Sequence, residues 1–284
     1  MHIVVASGKG GTGKTTIGTS LALIAAEQGT VRFLDCDVEA PNAGLLLEPI
    51  LDARKDVGLL IPQVDEQSCT YCGKCAEVCQ FHAIAVVGKN ILVFPELCHG
   101  CGSCTLVCPE NAISESLNVM GVLESGLATQ GIDFAQGVMN VGEPMAVPII
   151  RELKKWAPTR SPVIEIWDAP PGASCPVVET IRGADFALLV TEPTPFGLHD
   201  LKQVVEITRE LSIPAGVVIN RDGIGDNTVE AYCNTNHLPI LMRIPMDLRI
   251  AGAIARGTPL LEAAPEHRPI FQSMLETIVT KVGA

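Results

Sequence analysis

Residues 8–15 read Gly-Lys-Gly-Gly-Thr-Gly-Lys-Thr and satisfy the pattern G-x-x-x-x-G-K-[ST]. An apolar run from His2 to Ser7 precedes them and predicts a buried strand, while residues 15–28 predict a helix that ends before Gly29. Glycines in such a loop let backbone N–H groups close around phosphate oxygens, and the helix N-terminus adds the positive end of its dipole. The stretch therefore predicts a phosphate-binding loop between a strand and a helix.

The rest of the chain continues this alternation of strand and helix. Residues 31–35 predict a second strand, so the N-terminal segment forms a βαβ unit with parallel strands. Short apolar runs at 163–168, 186–191 and 215–220 predict further strands, with a helix over 198–211. Together these elements predict an α/β fold, built as a doubly wound and mostly parallel sheet.

Cysteines are concentrated in one part of the chain. The sequence contains 11 of them, and eight lie between Cys69 and Cys108. They form two copies of the spacing C-x2-C-x2-C-x3-C, one beginning at Cys69 and the other at Cys98. In a cytosolic chain, thiols at this density are better explained by metal binding than by disulfides.

The cysteine repeat interrupts the α/β pattern and sets the predicted domain organisation. We predict an inserted domain at residues 61–117, and one discontinuous α/β domain formed by residues 1–60 and 118–284. Residues 119–144 show no clear period, and we interpret them as loops or short hairpin strands.

The cysteine spacing resembles that of bacterial ferredoxins, in which three thiolates of one run hold a [4Fe–4S] cluster and the fourth ligates the other cluster. The resemblance implies a small α+β domain with two [4Fe–4S] clusters. Paired C-x2-C elements also form zinc sites, but three cysteines in each run, with a fourth beyond them, exceed what a zinc ribbon uses. One departure is that Pro109 follows Cys108 whereas Gln80 follows Cys79. The implied ligand sets are Cys69, Cys72, Cys75 and Cys108 for one cluster, and Cys79, Cys98, Cys101 and Cys104 for the other.

A second lysine inside the phosphate-binding loop, Lys9, is not required by the general motif. With it, the sequence resembles the deviant Walker A ATPases, the group of MinD, ParA, Mrp and the nitrogenase iron protein. The resemblance implies ATP and Mg²⁺ as ligands and a homodimer in which Lys9 crosses to the nucleotide of the partner. The alternative for Lys9 is a solvated loop lysine. By the general motif, Lys14 reaches the β- and γ-phosphates and the Thr15 hydroxyl ligates Mg²⁺.

Two aspartates follow predicted strands and complete this resemblance. Asp37 lies in the segment that resembles the first switch of the family, where it would orient the attacking water or hold a metal-bound water. Asp168 ends an apolar strand, as a Walker B carboxylate does when it approaches Mg²⁺ through water. Gly172 lies where the second switch would sense the γ-phosphate. The predicted Mg²⁺ site therefore consists of Thr15, Asp37 and Asp168, and the predicted catalytic residues are Lys9, Lys14, Asp37 and Asp168.

Later segments resemble the adenine-binding parts of the same family, at Asn220 with Arg221 and at Pro245 with Asp247. The complete set of predicted ATP contacts is Gly8, Lys9, Gly10, Gly11, Thr12, Gly13, Lys14, Thr15, Thr16, Gly172, Asn220, Arg221, Pro245 and Asp247.

Composition excludes several classes of function. The formal net charge is −12 and aromatic residues make up 4% of the chain, so a general nucleic-acid binder is disfavoured. No apolar run approaches the roughly 18 to 20 uncharged residues that cross a bilayer, so stable membrane insertion is not expected. We expect a cytoplasmic protein.

These patterns support one main hypothesis and two alternatives. The main one is an ATP-hydrolysing homodimer whose nucleotide state gates electron transfer through two [4Fe–4S] clusters to a partner protein. The alternatives are an ATP-dependent carrier that delivers a metal or iron–sulfur cofactor to a client, and a MinD- or ParA-like positioning ATPase that carries redox-sensing clusters. Cys36, Cys175 and Cys233 are expected to pack as ordinary thiols, and His82 and His99 as surface or packing side chains.

Overall fold

A computed structural model describes residues 1–156 and 163–283. Its strands are β1 His2–Ala6, β2 Val31–Asp35, β3 Ile50–Val64, β4 Ile84–Val87, β5 Asn90–Val93, β6 Ile113–Leu127, β7 Asp133–Met139, β8 Ile164–Asp168, β9 Phe186–Thr191, β10 Ala215–Asp222 and β11 Ile240–Pro245. Its helices are α1 Lys14–Ala26, α2 Gly44–Leu47, α3 Lys74–Val78, α4 Ser103–Val107, α5 Val147–Lys155, α6 Cys175–Ile181, α7 Pro195–Glu210, α8 Thr228–Thr235, α9 Leu248–Ile254, α10 Leu260–Ala263 and α11 Arg268–Val282.

The central sheet has the order β11-β10-β9-β1-β8-β2-β7-β6-β3 within the described residues. Pairing is parallel from β11 to β7 and antiparallel between β7 and β6 and between β6 and β3. The predicted α/β class with a mostly parallel sheet is confirmed. Because parallel strands end at the same edge, the register places Asp168 beside both Val5 and Asp35.

Helices cover both faces of the sheet. On one face, α1 and α11 bury Phe33 and Phe134, whose rings stack with centroids 6.2 Å apart. On the other face, α5, α6, α7 and α8 cover the opposite side chains of the same strands, including Leu34 and Trp167. Burial on both sides explains why β1, β2 and β9 are almost continuously apolar. Within the residues described above, no helix is both long and apolar enough to cross a bilayer.

Two long antiparallel strands, β3 and β6, form the edge of the sheet and extend beyond it. They pair from Ile50 with Leu127 to Val64 with Ile113, but β6 pairs with β7 only from Gly121 onward. Residues 58–64 and 113–119 therefore project past the end of β7, and we call this two-stranded projection the arm. The arm carries residues 65–112, here called the cysteine module, which contains α3, α4 and the β4–β5 hairpin.

The arm corrects one interpretation of the sequence. Residues 119–144 are not loops or short hairpin strands, because they contain the second half of the 15-residue strand β6 and the whole of β7. The predicted module boundaries at 61 and 117 fall inside β3 and β6. Residues 50–56 are exposed, so their sequence lacks the apolar alternation that identifies a half-buried strand.

A β-bulge at the base of the arm requires glycine. The register shifts between Val57 and Gly58, and a Cβ at Gly58 would lie 1.8 Å from the Asn118 carbonyl oxygen. We expect Gly58→Ala to destabilise the protein by about 1–3 kcal/mol, because the two backbones must separate. Thermal denaturation measures this change. Gly252→Ala is the control, since its Cβ would meet only the Arg256 guanidinium at 3.6 Å, and equal melting temperatures for the two variants would contradict the prediction.

Candidate functional site

The phosphate-binding loop lies between β1 and α1 at the edge where the parallel strands end. Gly11 and Gly13 have φ of 77° and 92°, in the left-handed region that favours glycine. The Asn220 side-chain amide donates a hydrogen bond to the Thr12 carbonyl oxygen at 2.8 Å, and a Cβ at Gly13 would lie 2.5 Å from the same amide nitrogen. Asn220, predicted to contact adenine, therefore braces the loop through its amide N–H.

Lys14, Thr15 and Asp168 come together at the base of the loop. Lys14 is buried, and the Thr15 hydroxyl donates to Asp168 Oδ2 at 2.6 Å. Within the described residues, Asp168 Oδ1 and Thr12 Oγ1 are buried without a hydrogen-bond partner. An unsatisfied buried oxygen costs free energy, and a hydrated Mg²⁺ beside Thr15 can satisfy Asp168 Oδ1. The residues present thus fit a Mg²⁺–nucleotide complex.

Burial controls the charge of the aspartates at this edge. It raises the pKa of Asp168 to about 8, with repulsion from Asp35 adding to the rise, while Lys14 and the Thr15 hydroxyl oppose it. Burial also raises the pKa of Asp35 to about 6, although backbone N–H groups of Ala43, Asn42 and Asp37 stabilise its carboxylate. The pKa of Asp37 is raised by burial as well, and Lys14 opposes that rise. These carboxyls therefore need a cation to be ionised at low cost.

Asp35 has a role that the sequence did not reveal. Its carboxylate anchors the loop that follows β2 through hydrogen bonds from Asn42 and Ala43, each 2.9 Å long. This anchor leaves Asp37, two residues later, lining the cavity beside the phosphate-binding loop. The signal was present in the Asp-x-Asp pattern, but the pattern alone does not distinguish the anchoring carboxylate from the one that faces the cavity.

The cavity beside the loop has a volume of about 860 Å³, within the range typical of small-molecule sites. Its lining contains many predicted contacts and several residues that sequence reasoning missed, notably Arg256 in the turn after α9 and Leu45 on α2. No motif marks either of these two residues. The predicted residues in the lining are Gly10, Gly11, Gly13, Lys14, Thr15, Thr16, Asp37 and Arg221.

Other predicted ATP contacts have structural partners. Gly8 packs against Asp200, because a Cβ would lie 2.3 Å from the Asp200 carbonyl oxygen. Gly172, with φ of 100°, donates its N–H to the Ser7 carbonyl oxygen at 3.0 Å. The segment that carries Gly172 is thus hydrogen-bonded to the residue before the phosphate-binding loop.

Pro245 and Asp247 are not among the described residues that line the cavity. Pro245 ends β11, and Asp247 caps α9 by accepting a hydrogen bond from the Arg249 N–H at 2.7 Å. The Asp247 carboxylate also pairs with the Arg249 guanidinium at 2.6 Å. The carboxylate is therefore engaged in helix capping.

Lys9 is paired with a buried carboxylate in its own chain. Its Nζ donates to Glu192 Oε2 at 2.8 Å, and the other oxygen of Glu192 accepts from the Arg221 guanidinium at 2.5 Å. Glu192 lies just after β9, in a segment to which sequence reasoning assigned no chemistry. A glutamate after a strand gives no signal by itself, because its burial and its two partners depend on the tertiary fold.

The cysteine module brings each of the two implied ligand sets to its own small cavity. The first cavity is lined by Cys69, Cys72, Cys75 and Cys108. The second is lined by Cys79, Cys98, Cys101 and Cys104. Each cavity thus receives three cysteines from one copy of the repeat and the fourth from the other copy. Across the described residues, no group of three or more His, Cys, Asp or Glu side chains converges closely enough to hold a single metal ion.

Backbone N–H groups point at the sulfur atoms in the same way in both halves of the module. The N–H groups of Ala83 and Ala112 donate to Cys79 and Cys108 at 3.2 and 3.3 Å, so replacing proline by Gln80 leaves this contact unchanged. Likewise, Tyr71 and Gly100 donate to Cys69 and Cys98 at 3.4 and 3.5 Å. Such bonds stabilise negative charge on sulfur, so the module fits [4Fe–4S] clusters.

The other cysteines differ from one another. Cys36 and Cys233 are buried, and burial raises the pKa of each thiol, to about 11 for Cys233. Both pack as expected. Cys175 does not, because it begins α6 after an extended residue and is exposed. His99 stacks on Phe81 with ring centroids 3.7 Å apart, which agrees with a packing role.

Comparison with known proteins defines the class. Residues 3–260 match the CobQ/CobB/MinD/ParA nucleotide binding domain. The chain therefore belongs to this family of nucleotide-binding P-loop proteins.

Individual relatives agree with this class. An uncharacterized protein of Methanocaldococcus jannaschii is 33% identical over 281 residues, which cover 98% of this chain and 96% of the relative. An iron–sulfur cluster carrier protein of Pyrococcus horikoshii is 23% identical over 308 residues, covering 99% and 86%. The septum site-determining protein MinD of Pyrococcus horikoshii, solved with Mg-ADP, superposes with a TM-score of 0.57 at 19% identity and covers 98% of this chain and 95% of MinD. At that identity the likeness shows a shared fold.

The raised pKa of Asp168 predicts a pH dependence in the nucleotide-free protein. Its protonated form is favoured by folding, so its contribution to stability is complete below about pH 4 and is lost as pH rises through about 8. We expect the melting temperature of wild type to fall relative to that of Asp168→Asn as pH is raised from 5 to 8, because the Asn side chain stays neutral. Asp52→Asn, at an exposed position, is the control. A constant difference between Asp168→Asn and wild type across this range would contradict the prediction.

Proposed function

We propose that the protein binds and hydrolyses ATP as a homodimer, and that its nucleotide state gates electron transfer through two [4Fe–4S] clusters to a partner protein. The observation that carries this proposal is the continuity of one sheet. The strands that bear the cysteine module, β6 and the edge strand β3, belong to the same sheet as β1, which leads into the phosphate-binding loop. The proposed setting is the cytoplasm, where thiols stay reduced and available for iron.

In the proposed ATPase reaction, the loop amides and Lys14 would hold the phosphates, and Thr15 and Asp168 would hold Mg²⁺. When bound there, Mg²⁺ would neutralise negative charge on the phosphates. Asp37 orients a water toward the γ-phosphorus, so that a new P–O bond forms as the bond to the bridging oxygen breaks, and ADP and phosphate leave. Gly172 is the proposed sensor of the γ-phosphate. Lys9 is proposed to reach the nucleotide of the partner protomer.

A short chain of hydrogen bonds connects the proposed nucleotide switch to the arm. The Met139 N–H donates to the carbonyl oxygen of Val38, the residue after Asp37, at 2.8 Å. The next residue, Asn140, donates its backbone N–H to the Met120 carbonyl oxygen at 2.8 Å and its side-chain amide to the Val119 carbonyl oxygen at 3.0 Å. Two consecutive residues therefore link the segment that carries Asp37 to the base of the arm.

A cavity of about 760 Å³ lies between the module and the α/β body. His99, next to the cluster ligand Cys98, lines it from the module, and Cys175 and Pro176 line it from the segment that follows Gly172. This space leaves room for the module and the second switch segment to change position relative to each other. A movement of the second switch segment would therefore change the surroundings of the module at a place separate from the hydrogen bonds at Asn140.

The two chemistries should be separable by single substitutions. We expect Lys14→Ala to abolish ATP binding by calorimetry while iron content stays at about eight atoms per chain. Cys72→Ser should lower iron content and leave ATP binding intact, because Cys72 lines the first module cavity and is not among the described residues that line the nucleotide cavity. Cys175→Ser is the matched control for loss of a thiol outside the module. Zinc in place of iron in the wild type, or equal damage to both functions by either variant, would contradict the proposal.

Gating is tested by comparing nucleotide states of the anaerobically purified protein. We expect the cluster reduction potentials and the affinity for the redox partner to differ between ADP and a non-hydrolysable ATP analogue. Asn140→Ala should reduce that difference, because it removes the bond to Val119, and Lys14→Ala should abolish it. Identical potentials, cluster exposure and partner affinity in both nucleotide states of the wild type would overturn gating.

A second candidate function is an ATP-timed carrier of iron–sulfur clusters. It is favoured by the exposure of Cys72 and Cys101, one in each ligand set, and by the similarity of the chain to the iron–sulfur cluster carrier protein of Pyrococcus horikoshii. The discriminating measurement is transfer to an apo-acceptor protein. A carrier loses its clusters to the acceptor on ATP addition, whereas a redox protein keeps them.

A further inference from the structure

Glu192 is a buried carboxylate that joins two cations beside the phosphate-binding loop. The residue is 4% exposed, and its oxygens contact Lys9 Nζ at 2.8 Å and the Arg221 guanidinium at 2.5 Å. We infer that Glu192 is a positioning residue that holds Lys9 away from the dimer interface. The cost of releasing Lys9 then sets the protein concentration at which the ATP-bound dimer forms. This inference rests on the proposed role of Lys9 across the dimer interface.

The backbone around Glu192 is fixed from two sides. A Cβ at Gly197 would lie 2.2 Å from the Glu192 carbonyl oxygen, and one at Gly225 would lie 1.4 Å from the Pro193 carbonyl oxygen. The Thr191 hydroxyl also donates to the Gly197 carbonyl oxygen at 2.9 Å. Close packing on both sides leaves little room for the carboxylate to follow a moving partner.

Lys9 is the more exposed member of the pair. Its side chain is 33% exposed, against 6% for that of Glu192, and it sits on the glycine-rich loop. Among the described residues that line the nucleotide cavity, Lys14 is present and Lys9 is not. In this state Lys9 is therefore turned to Glu192, and it can act on a second nucleotide only after this ion pair opens.

Arg221 lowers the cost of breaking the Lys9–Glu192 ion pair. Removing one partner of a buried ion pair is costly when it leaves an uncompensated charge. Here the Arg221 guanidinium keeps neutralising Glu192 after Lys9 leaves, because it holds the other carboxylate oxygen. Arg221 also lines the nucleotide cavity, next to Asn220, which braces the loop at Thr12. Glu192 thus connects Lys9 to residues beside the nucleotide cavity.

The test is the neutral isostere Glu192→Gln in the full-length protein. We expect the protein concentration for half-maximal dimerisation with a non-hydrolysable ATP analogue to fall about tenfold, since the Lys9–Glu192 pair is intermediate between an exposed and a buried ion pair. ATP affinity of the monomer should change less than dimerisation. Analytical ultracentrifugation and the concentration dependence of ATP hydrolysis measure the two effects. Glu206→Gln, at an exposed position on α7, is the matched control.

A double-variant cycle assigns the effect to Lys9. In a Lys9→Gln background, Glu192→Gln should not restore dimerisation, because there is no ammonium to release. If Glu192→Gln does not shift dimerisation while Lys9→Gln abolishes it, the resting role of Glu192 is wrong and the proposed role of Lys9 stands. If Lys9→Gln leaves dimerisation and hydrolysis unchanged, the proposed role of Lys9 itself fails.

A conservative variant keeps the inference falsifiable if Glu192→Gln does not fold. Glu192→Asp retains the buried negative charge but withdraws it from Lys9 by one methylene. We expect a shift of dimerisation in the same direction as for Glu192→Gln and of smaller size. A shift to higher protein concentration, or none, would overturn the inference.

Discussion

The organisation of the nucleotide site depends on one electrostatic constraint, the burial of the Lys14 ammonium among aspartate carboxyls. Parallel pairing of β2 with β8 places Asp35 and Asp168 side by side at the strand ends, where burial raises the pKa of both. Lys14 opposes the rise for Asp168 and Asp37. A single lysine cannot compensate three carboxyls in a low-dielectric site, so the arrangement favours a divalent cation and leaves Asp168 Oδ1 without a partner among the described residues.

Much of this site can be predicted from the sequence because its residues lie in local motifs. The phosphate-binding loop needs glycines with positive φ at Gly11 and Gly13, and Asp168 needs only to end an apolar strand, so both leave a signature within a few residues. The cysteine repeat is equally local, because each run supplies three side chains to one cavity and one to the other. The mostly parallel sheet follows from apolar runs that are buried on both faces.

Residues whose role comes from distant packing could not be identified in this way. Glu192 acquires its partners from a loop that lies 183 residues earlier and from a strand that follows it, and nothing in its own segment marks the burial. Arg256 reaches the cavity only because the turn after α9 packs near α2. The first half of β3 is exposed at the sheet edge, so no apolar face identifies it. In each case the deciding contact is tertiary, while the local sequence is ordinary.

The construction of the arm determines how a movement at the nucleotide site can be transmitted to the cysteine module. A flexible linker would absorb a displacement at the nucleotide, because its ends move independently. The arm instead is the outer part of the antiparallel β3–β6 ladder, which runs from Ile50 to Val64 with register shifts after Leu51 and after Val57, and the base of the arm is hydrogen-bonded to Asn140. Its free part of seven residues per strand is about 20 Å long. A small rotation at Val38 and Met139 would therefore be carried to the module and enlarged by that length. Coupling by this route requires the ladder to stay paired while its base turns.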